Sequence, residues 1–344
     1  MTRTLSEKRA SVWRVVEAAR EVAKDRASLR GDLVASTGLS PEGVELAFAR
    51  HLELDPSEAD LDALLASAGE AKHVTVILSS NVFVAALRAI AIACAASPSV
   101  VVRPSRREPH FARALVEQAN APGLTLASAV DIARLFGGEI HVYGRDATIA
   151  AVRARAGERM RVRGHGAGMG IAVVGERGDL AASARALAAD VIAFDQRGCL
   201  SPRVALVEGE ARAAEFAEAL DAALAEAAAR VPRGALHEEE RAEAVRYRET
   251  MGFAGRALVR ETHVVGVAPL GAPVTVPPAG RHVHVATVAG IEEARSVLGD
   301  LAEVIVCVGT DDPARVAGIA PAHARVALLG EMQRPPLDGP VDRR

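Results

Sequence analysis

From Val74 onward the chain alternates short, mostly apolar runs with longer segments of helical period. The runs at 74–78, 100–102, 139–143, 171–174, 204–207, 282–286 and 304–308 predict strands, since a short apolar run bounded by turn residues fits a strand buried on both faces. Between them, 82–96, 108–118, 148–155, 180–189, 210–230, 236–250 and 291–299 carry helical spacing. Such alternation argues a parallel sheet with helices on both faces, an α/β fold. Residues 1–70 show helical spacing and charged faces but no strand pattern, with Asp55-Pro56-Ser57-Glu58 as a helix start. The Pro/Gly stretch 268–280 predicts a loop, and the tail from Glu331 an irregular segment.

A length of 344 residues allows two domains, and a hydrophobic fraction of 50% supplies a sizeable core. The net charge of -3 and an aromatic content of 3% give no footprint for nucleic acid. Three cysteines without paired spacing point to a reducing compartment. Residues 1–30 hold no apolar signal core, and the most apolar helix is broken by Arg88 and too short to span a bilayer. A soluble cytoplasmic protein is expected. Lysine occurs only at Lys8, Lys24 and Lys72, none after a glycine, so no Walker-type phosphate loop exists. No Gly-x-Ser-x-Gly, Cys-x-x-Cys or His-Glu-x-x-His motif occurs. His282 and His284 share one strand face but lack an obvious third ligand, so no metal is expected.

Cys199 stands apart, within Phe194-Asp195-Gln196-Arg197-Gly198-Cys199-Leu200-Ser201-Pro202. Gly198 removes a side chain beside the sulfur and allows unusual backbone angles. Pro202 pushes Ser201 toward extended backbone. Gln196 and Arg197 offer a donor and a positive charge that would favour thiolate. Cys94 and Cys307 lie inside apolar runs and read as buried, inert thiols. The run Gly164-His165-Gly166-Ala167-Gly168-Met169-Gly170 lacks dinucleotide-fingerprint spacing and precedes a strand rather than a helix. Its glycines read as a site of close approach to a ligand or to the cysteine loop, or as a plain turn.

Three segments, in order, resemble the aldehyde dehydrogenase superfamily, and within it the LuxC-type acyl-CoA reductases. Leu78-Ser79-Ser80-Asn81-Val82-Phe83, with Val102-Arg103-Pro104-Ser105-Arg106-Arg107-Glu108-Pro109 after it, is similar to a Gly-Asn-Val-Pro strand end and a Lys-Pro-Ser cofactor strand. The Cys199 segment resembles an Asp-Gln-x-x-Cys-Leu-Ser-Pro nucleophile motif, and Met332-Gln333-Arg334-Pro335-Pro336-Leu337-Asp338-Gly339 a Met-Gln-x-Pro-Pro-x-Asp-Gly stretch. The resemblance covers roughly residues 70 to 340. It implies an aldehyde dehydrogenase-like fold: a Rossmann-type cofactor domain and an α/β catalytic domain carrying the nucleophilic cysteine. The organisation expected is 1–70 helical, 71–190 cofactor-binding, 191–325 catalytic and 326–344 a tail.

The chemistry implied is reduction of an acyl-CoA, or another acyl thioester, to an aldehyde through an acyl-enzyme on Cys199. Asn81 and the backbone N–H of Cys199 would hold the oxyanion, although a strand-end Asn also commonly caps the following helix. His165 would assist proton transfer, unless it is a loop histidine without a role. Arg103, Pro104, Ser105, Arg106 and Gly144 would contact the cofactor. Arg103 stands where the family has lysine, and with Arg106 and Arg107 it suits a 2′-phosphate, favouring NADPH over NADH. Oxidising members carry Glu-Leu-Gly-Gly, whereas 164–170 holds no carboxylate; without that base, exchange with CoA is favoured over hydrolysis. The alternatives are a dehydrogenase of free aldehydes using a base such as Glu176, and a non-reducing acyl-binding or acyl-transfer protein. The chain is short for the superfamily, and a homo-oligomer is expected.

Overall fold

The computed structural model describes residues 3–316 and 320–339. Four helices precede the first strand: α1 (Leu5–Lys24), α2 (Arg26–Thr37), α3 (Pro41–Arg50) and α4 (Glu58–Ala68). Two of them start with reciprocal caps. Thr4 Oγ1 accepts from Glu7 N while Thr4 N donates to the Glu7 carboxylate, and Ser57 and Asp60 repeat the arrangement at α4.

The chain divides into two compact units. The first comprises residues 3–37, 47–167 and 334–339 of the described chain. It holds a parallel sheet of β1 (Val74–Ile77), β2 (Val100–Arg103), β3 (Leu124–Leu126), β4 (Gly138–Tyr143) and β5 (Met160–His165), in the order β3-β2-β1-β4-β5. Helices α5 (Ala85–Ala96), α6 (His110–Ala119) and α7 (Asp146–Arg155) connect the strands. All of α5 except Ala85 is buried, which explains its apolar composition on every side. Phe48, Phe83 and Phe111 meet with ring centroids 5.4–5.8 Å apart. The chain runs outward from β1 to β3 and then returns to place β4 on the other side of β1, so the order reverses between β1 and β4.

The second unit comprises residues 38–46, 168–316 and 320–333 of the described chain. Its sheet runs β12-β11-β6-β7-β10-β9-β8, parallel except for the β8–β9 pair. The strands are β6 (Met169–Val174), β7 (Pro202–Glu208), β8 (Arg256–Val259), β9 (Val264–Ala268), β10 (Val283–Val288), β11 (Ile305–Thr310) and β12 (Arg325–Leu328). Helices α8 (Leu180–Ile192) and α9 (Glu210–Arg230) pack with Ala172, Val174, Ala205, Val207 and Val285 on one face. Ile171, Val173, Leu206, Ala286 and Val288 face the opposite side, against Ile291, Ala294 and Leu298. Adjacent residues thus feed opposite cores, and the strand sequences are apolar throughout. α10 (Glu238–Ala254), α11 (Ala294–Leu298) and α12 (Pro313–Val316) complete the unit. Where one helix is expected over 291–299, a 3-10 turn at Ile291–Glu293 leads into the short α11, and Gly299 opens a second 3-10 turn.

Candidate active site

In the second unit Cys199 sits between α8 and β7, at the N-terminal end of β7. It is partly buried and packs against Leu200, Cys307, Ala327 and Met332. Burial pushes the thiols of Cys94 and Cys307 up to about 12, which leaves them protonated and unreactive.

The loop before the cysteine is held in a costly conformation. Phe194, Asp195 and Gln196 all have positive φ, at 53°, 50° and 63°. Left-handed backbone costs a non-glycine residue roughly 1–2 kcal/mol, so three in succession require compensation from their surroundings. The unusual angles expected at Gly198 therefore fall on these three residues instead. Compensation comes from buried polar groups. The Asp195 carboxylate accepts from Arg281 Nε at 2.8 Å and from Gly234 N at 3.0 Å. Gln196 Nε2 donates to the carbonyls of Pro202 and His282, at 2.6 and 2.7 Å, and its Oε1 accepts from His282 N at 2.9 Å.

Two sequence expectations are corrected here. The Gln196 amide is spent on backbone carbonyls, and the Arg197 guanidinium forks onto Glu240 with both distances 3.1 Å. A cation already neutralised by a carboxylate lends little stabilisation to a thiolate. Both residues shape the loop.

The glycine-rich run 164–170 straddles the end of β5 and the start of β6. A Cβ on Gly170 would lie 2.3 Å from the carbonyl oxygen of Leu200, so the residue is glycine because the cysteine loop runs against it. Glu176 lies beyond the far end of β6, whereas Gly170, at the near end, pairs with Pro202. At ~3.3 Å per strand residue the two ends are roughly 20 Å apart, which removes Glu176 as a base for chemistry at Cys199.

In the first unit the residues expected to act on cofactor or oxyanion gather at one edge of the sheet. Asn81 follows β1, Arg103 ends β2 with Pro104, Ser105 and Arg106 after it, Gly144 follows β4, and His165 ends β5. All four strands are parallel, so these are their C-terminal ends, and β1 and β4 flank the point where strand order reverses. Ligands of open α/β sheets bind at such a point. A pocket opens there, lined by Leu78, Ser79, Val82, Phe83, Glu108 and Tyr143 among others. His165 stacks flat on Tyr143, centroids 4.2 Å apart, and Gly144 N donates to His165 O.

Three details refine the expectations at this edge. α5 starts at Ala85, its cap position is Val84, and no side chain caps it, so Asn81 is an exposed loop residue and not a helix cap. Arg107 points its guanidinium at the carbonyls of Ser36 and Thr37, at the end of α2, as basic side chains do at helix C-termini. The side chains of Arg103 and Arg106 make no hydrogen bond or ion pair among the described residues, and so remain available for an anionic ligand. Glu108, a carboxylate of the pocket, accepts from Phe111 N in the first turn of α6; burial raises its pKa.

His282 Nδ1 accepts from Val264 N, and His284 contacts Tyr247 Oη and Thr275 N, so both imidazoles serve the packing of β10. Among the described residues no group of three His, Cys, Asp or Glu could hold a metal ion, and no helix is long and apolar enough to cross a membrane.

Solved structures supply the class. The NAD-dependent benzaldehyde dehydrogenase of Corynebacterium glutamicum matches with a TM-score of 0.73 at 16% identity, over 96% of this chain and 81% of that one. An aldehyde dehydrogenase of Mycobacterium tuberculosis complexed with NAD+ matches at 0.69 and 16% identity, over 94% and 77%. An acetylating aldehyde dehydrogenase of Geobacillus thermoglucosidasius gives 0.63 and 16%, over 96% and 83%. The fold is that of the aldehyde dehydrogenases. The family is narrower: residues 65–297 match the acyl-CoA reductase (LuxC) family, and the chain belongs to it. The protein is accordingly an oxidoreductase acting on acyl or aldehyde groups. Comparison with curated proteins gives no match.

Proposed function

We propose that the protein reduces an acyl-CoA to an aldehyde, with Cys199 as nucleophile and a nicotinamide cofactor as reductant. The observation that carries this reading is the cysteine loop, a strained segment held by buried side chains around the one thiol that is not fully buried. The Cys199 thiolate attacks the thioester carbonyl carbon, the bond to the CoA sulfur breaks, and CoA leaves with a proton. A nicotinamide held by the first unit would supply the hydride that the acyl carbon needs. Breaking the Cys199–carbon bond then releases the aldehyde and restores the thiolate. The N–H of Cys199 and the Asn81 amide are the proposed oxyanion donors, and His165 the proposed proton carrier. Loss of one such donor costs ~10²–10³ in rate.

The crevice between β1 and β4, with Arg103 and Arg106 at the end of β2, fits a nicotinamide dinucleotide held at the C-terminal strand ends, and Pro104, Ser105 and Gly144 are the further proposed contacts. The two uncommitted arginines favour NADPH through its 2′-phosphate, while the commitment of Arg107 to α2 reduces the expected cation set from three to two. The position of Glu176 argues against oxidation of free aldehydes to acids.

The test is consumption of NADPH and NADH against short-, medium- and long-chain acyl-CoAs, with release of free CoA followed in parallel. Cofactor oxidation matched by CoA release, lost by on the order of 10³-fold or more in Cys199→Ala, is expected. Silence of the folded enzyme across the panel would sink this reading. CoA release without cofactor oxidation would favour an acyl-transfer protein.

A further inference from the structure

The tripeptide Gly280-Arg281-His282, at the entry to β10, meets the left-handed segment 194–196 through interlocking hydrogen bonds. Gly280 N donates to the Asp195 carbonyl at 3.1 Å, and His282 N and O bond both ends of the Gln196 amide. The Arg281 guanidinium reaches Asp195 Oδ1 through Nε at 2.8 Å and Nη2 at 2.7 Å. Two of its residues are themselves at positive φ, 105° at Gly280 and 74° at Arg281. Two strained segments therefore hold each other, and neither conformation is expected without its partner. The ion pair at the centre is almost fully buried, at 2% and 1% side-chain exposure. Arg281 also donates to the carbonyls of Val231 and Pro232, so its guanidinium is fixed independently of the loop. No catalytic step uses this arginine, yet it is anchored to one part of the fold and bolted to the residue four positions before the nucleophile.

We infer that Arg281 is a positioning residue, and that its pairing with Asp195 sets the reactivity of the Cys199 thiol by holding segment 194–196 left-handed. The inference deepens the acyl-enzyme reading and rests on Cys199 being the reactive thiol. The readout needs no acyl-CoA: the second-order rate of iodoacetamide alkylation at Cys199, followed peptide by peptide across pH, beside the melting temperature. Arg281→Lys keeps the charge and removes the fork. At least a tenfold slower alkylation, or a displaced pH midpoint, is expected in protein that still melts cooperatively. If the reductase activity is present, kcat should fall while KM stays within a few-fold. An alkylation rate within twofold of the parent, with only the melting temperature lowered, would make the pair merely structural and overturn the inference.

Should Arg281→Lys fail to fold, the double variant Asp195→Asn/Arg281→Gln strands no buried charge, and the same tenfold loss or its absence decides. Failure of both to fold would make the pair a folding determinant and would also overturn the inference. A parent protein whose Cys199 alkylates no faster than a denatured cysteine would instead count against the nucleophile reading itself. The two failures are therefore distinguishable.

Discussion

A methyl group on Gly170 would stand 2.3 Å from the Leu200 carbonyl oxygen and 2.8 Å from the Met332 side chain. The first contact is with backbone and cannot be relieved by a rotamer change. Gly170→Ala is expected to cost roughly 1–3 kcal/mol in urea unfolding and to slow alkylation of Cys199, because the cysteine loop must retreat. Unchanged alkylation would show that the loop adapts freely. The glycine-rich run declared a close approach, and one of the two partners considered, the cysteine loop, is the one that Gly170 meets. The partners of Gln196 and Arg197 were not legible. Their motif fixes which residues precede the thiol, but the carbonyl of His282 and the carboxylate of Glu240 lie 86 and 43 positions away. Local context suggested charge near the sulfur; the fold spends that charge elsewhere.

Among the elements, β10 carries a pH response. Burial first, then the nearby positive groups Arg233, His263 and Arg203, hold His282 down to about 4, and burial alone does the same for His284. The folded value lies below the unfolded one, so the unfolded chain binds more protons between them, and stability is lost as pH falls from about 6.5 to about 4. Each imidazole contributes on the order of 3 kcal/mol across that window. Unfolding free energies measured between pH 4 and 7 should flatten in His284→Gln; an unaltered slope would contradict the assignment. Strands read well from the sequence where both faces are buried, as in β1, β6, β7 and β10. They were missed at sheet edges. β5 alternates arginine into its outer positions, and β3, β8 and β12 are short edges with an exposed side. β9 was missed for another reason: Gly266 interrupts its apolar run, because a Cβ there would lie 2.5 Å from Tyr247 Oη.

At the scale of the whole molecule, Asp190 opposes the histidines. Burial pushes its carboxyl up to about 7, although Gly330 N and Met332 N donate to it at 2.6 and 3.0 Å and favour the anion. Its folded value is raised, so its contribution is greatest below about 4 and fades as pH rises toward 7. Two histidines against one carboxyl give stability that climbs from pH 4 to about 6.5 and then declines slightly. Asp190→Asn should steepen the climb and abolish the decline in urea titrations; persistence of the decline would assign it to another group. The sequence by itself determined the alternation of strand and helix and the family, and it singled out Cys199 as the candidate thiol, because short apolar runs and the Asp-Gln-x-x-Cys-Leu-Ser-Pro motif are local and carry their meaning in order. Tertiary structure alone decided that Arg281 meets Asp195, that Arg107 serves α2 and that Glu176 lies a strand's length from the thiol. Those facts depend on which distant residues the sheet brings side by side, and no local period or spacing encodes that.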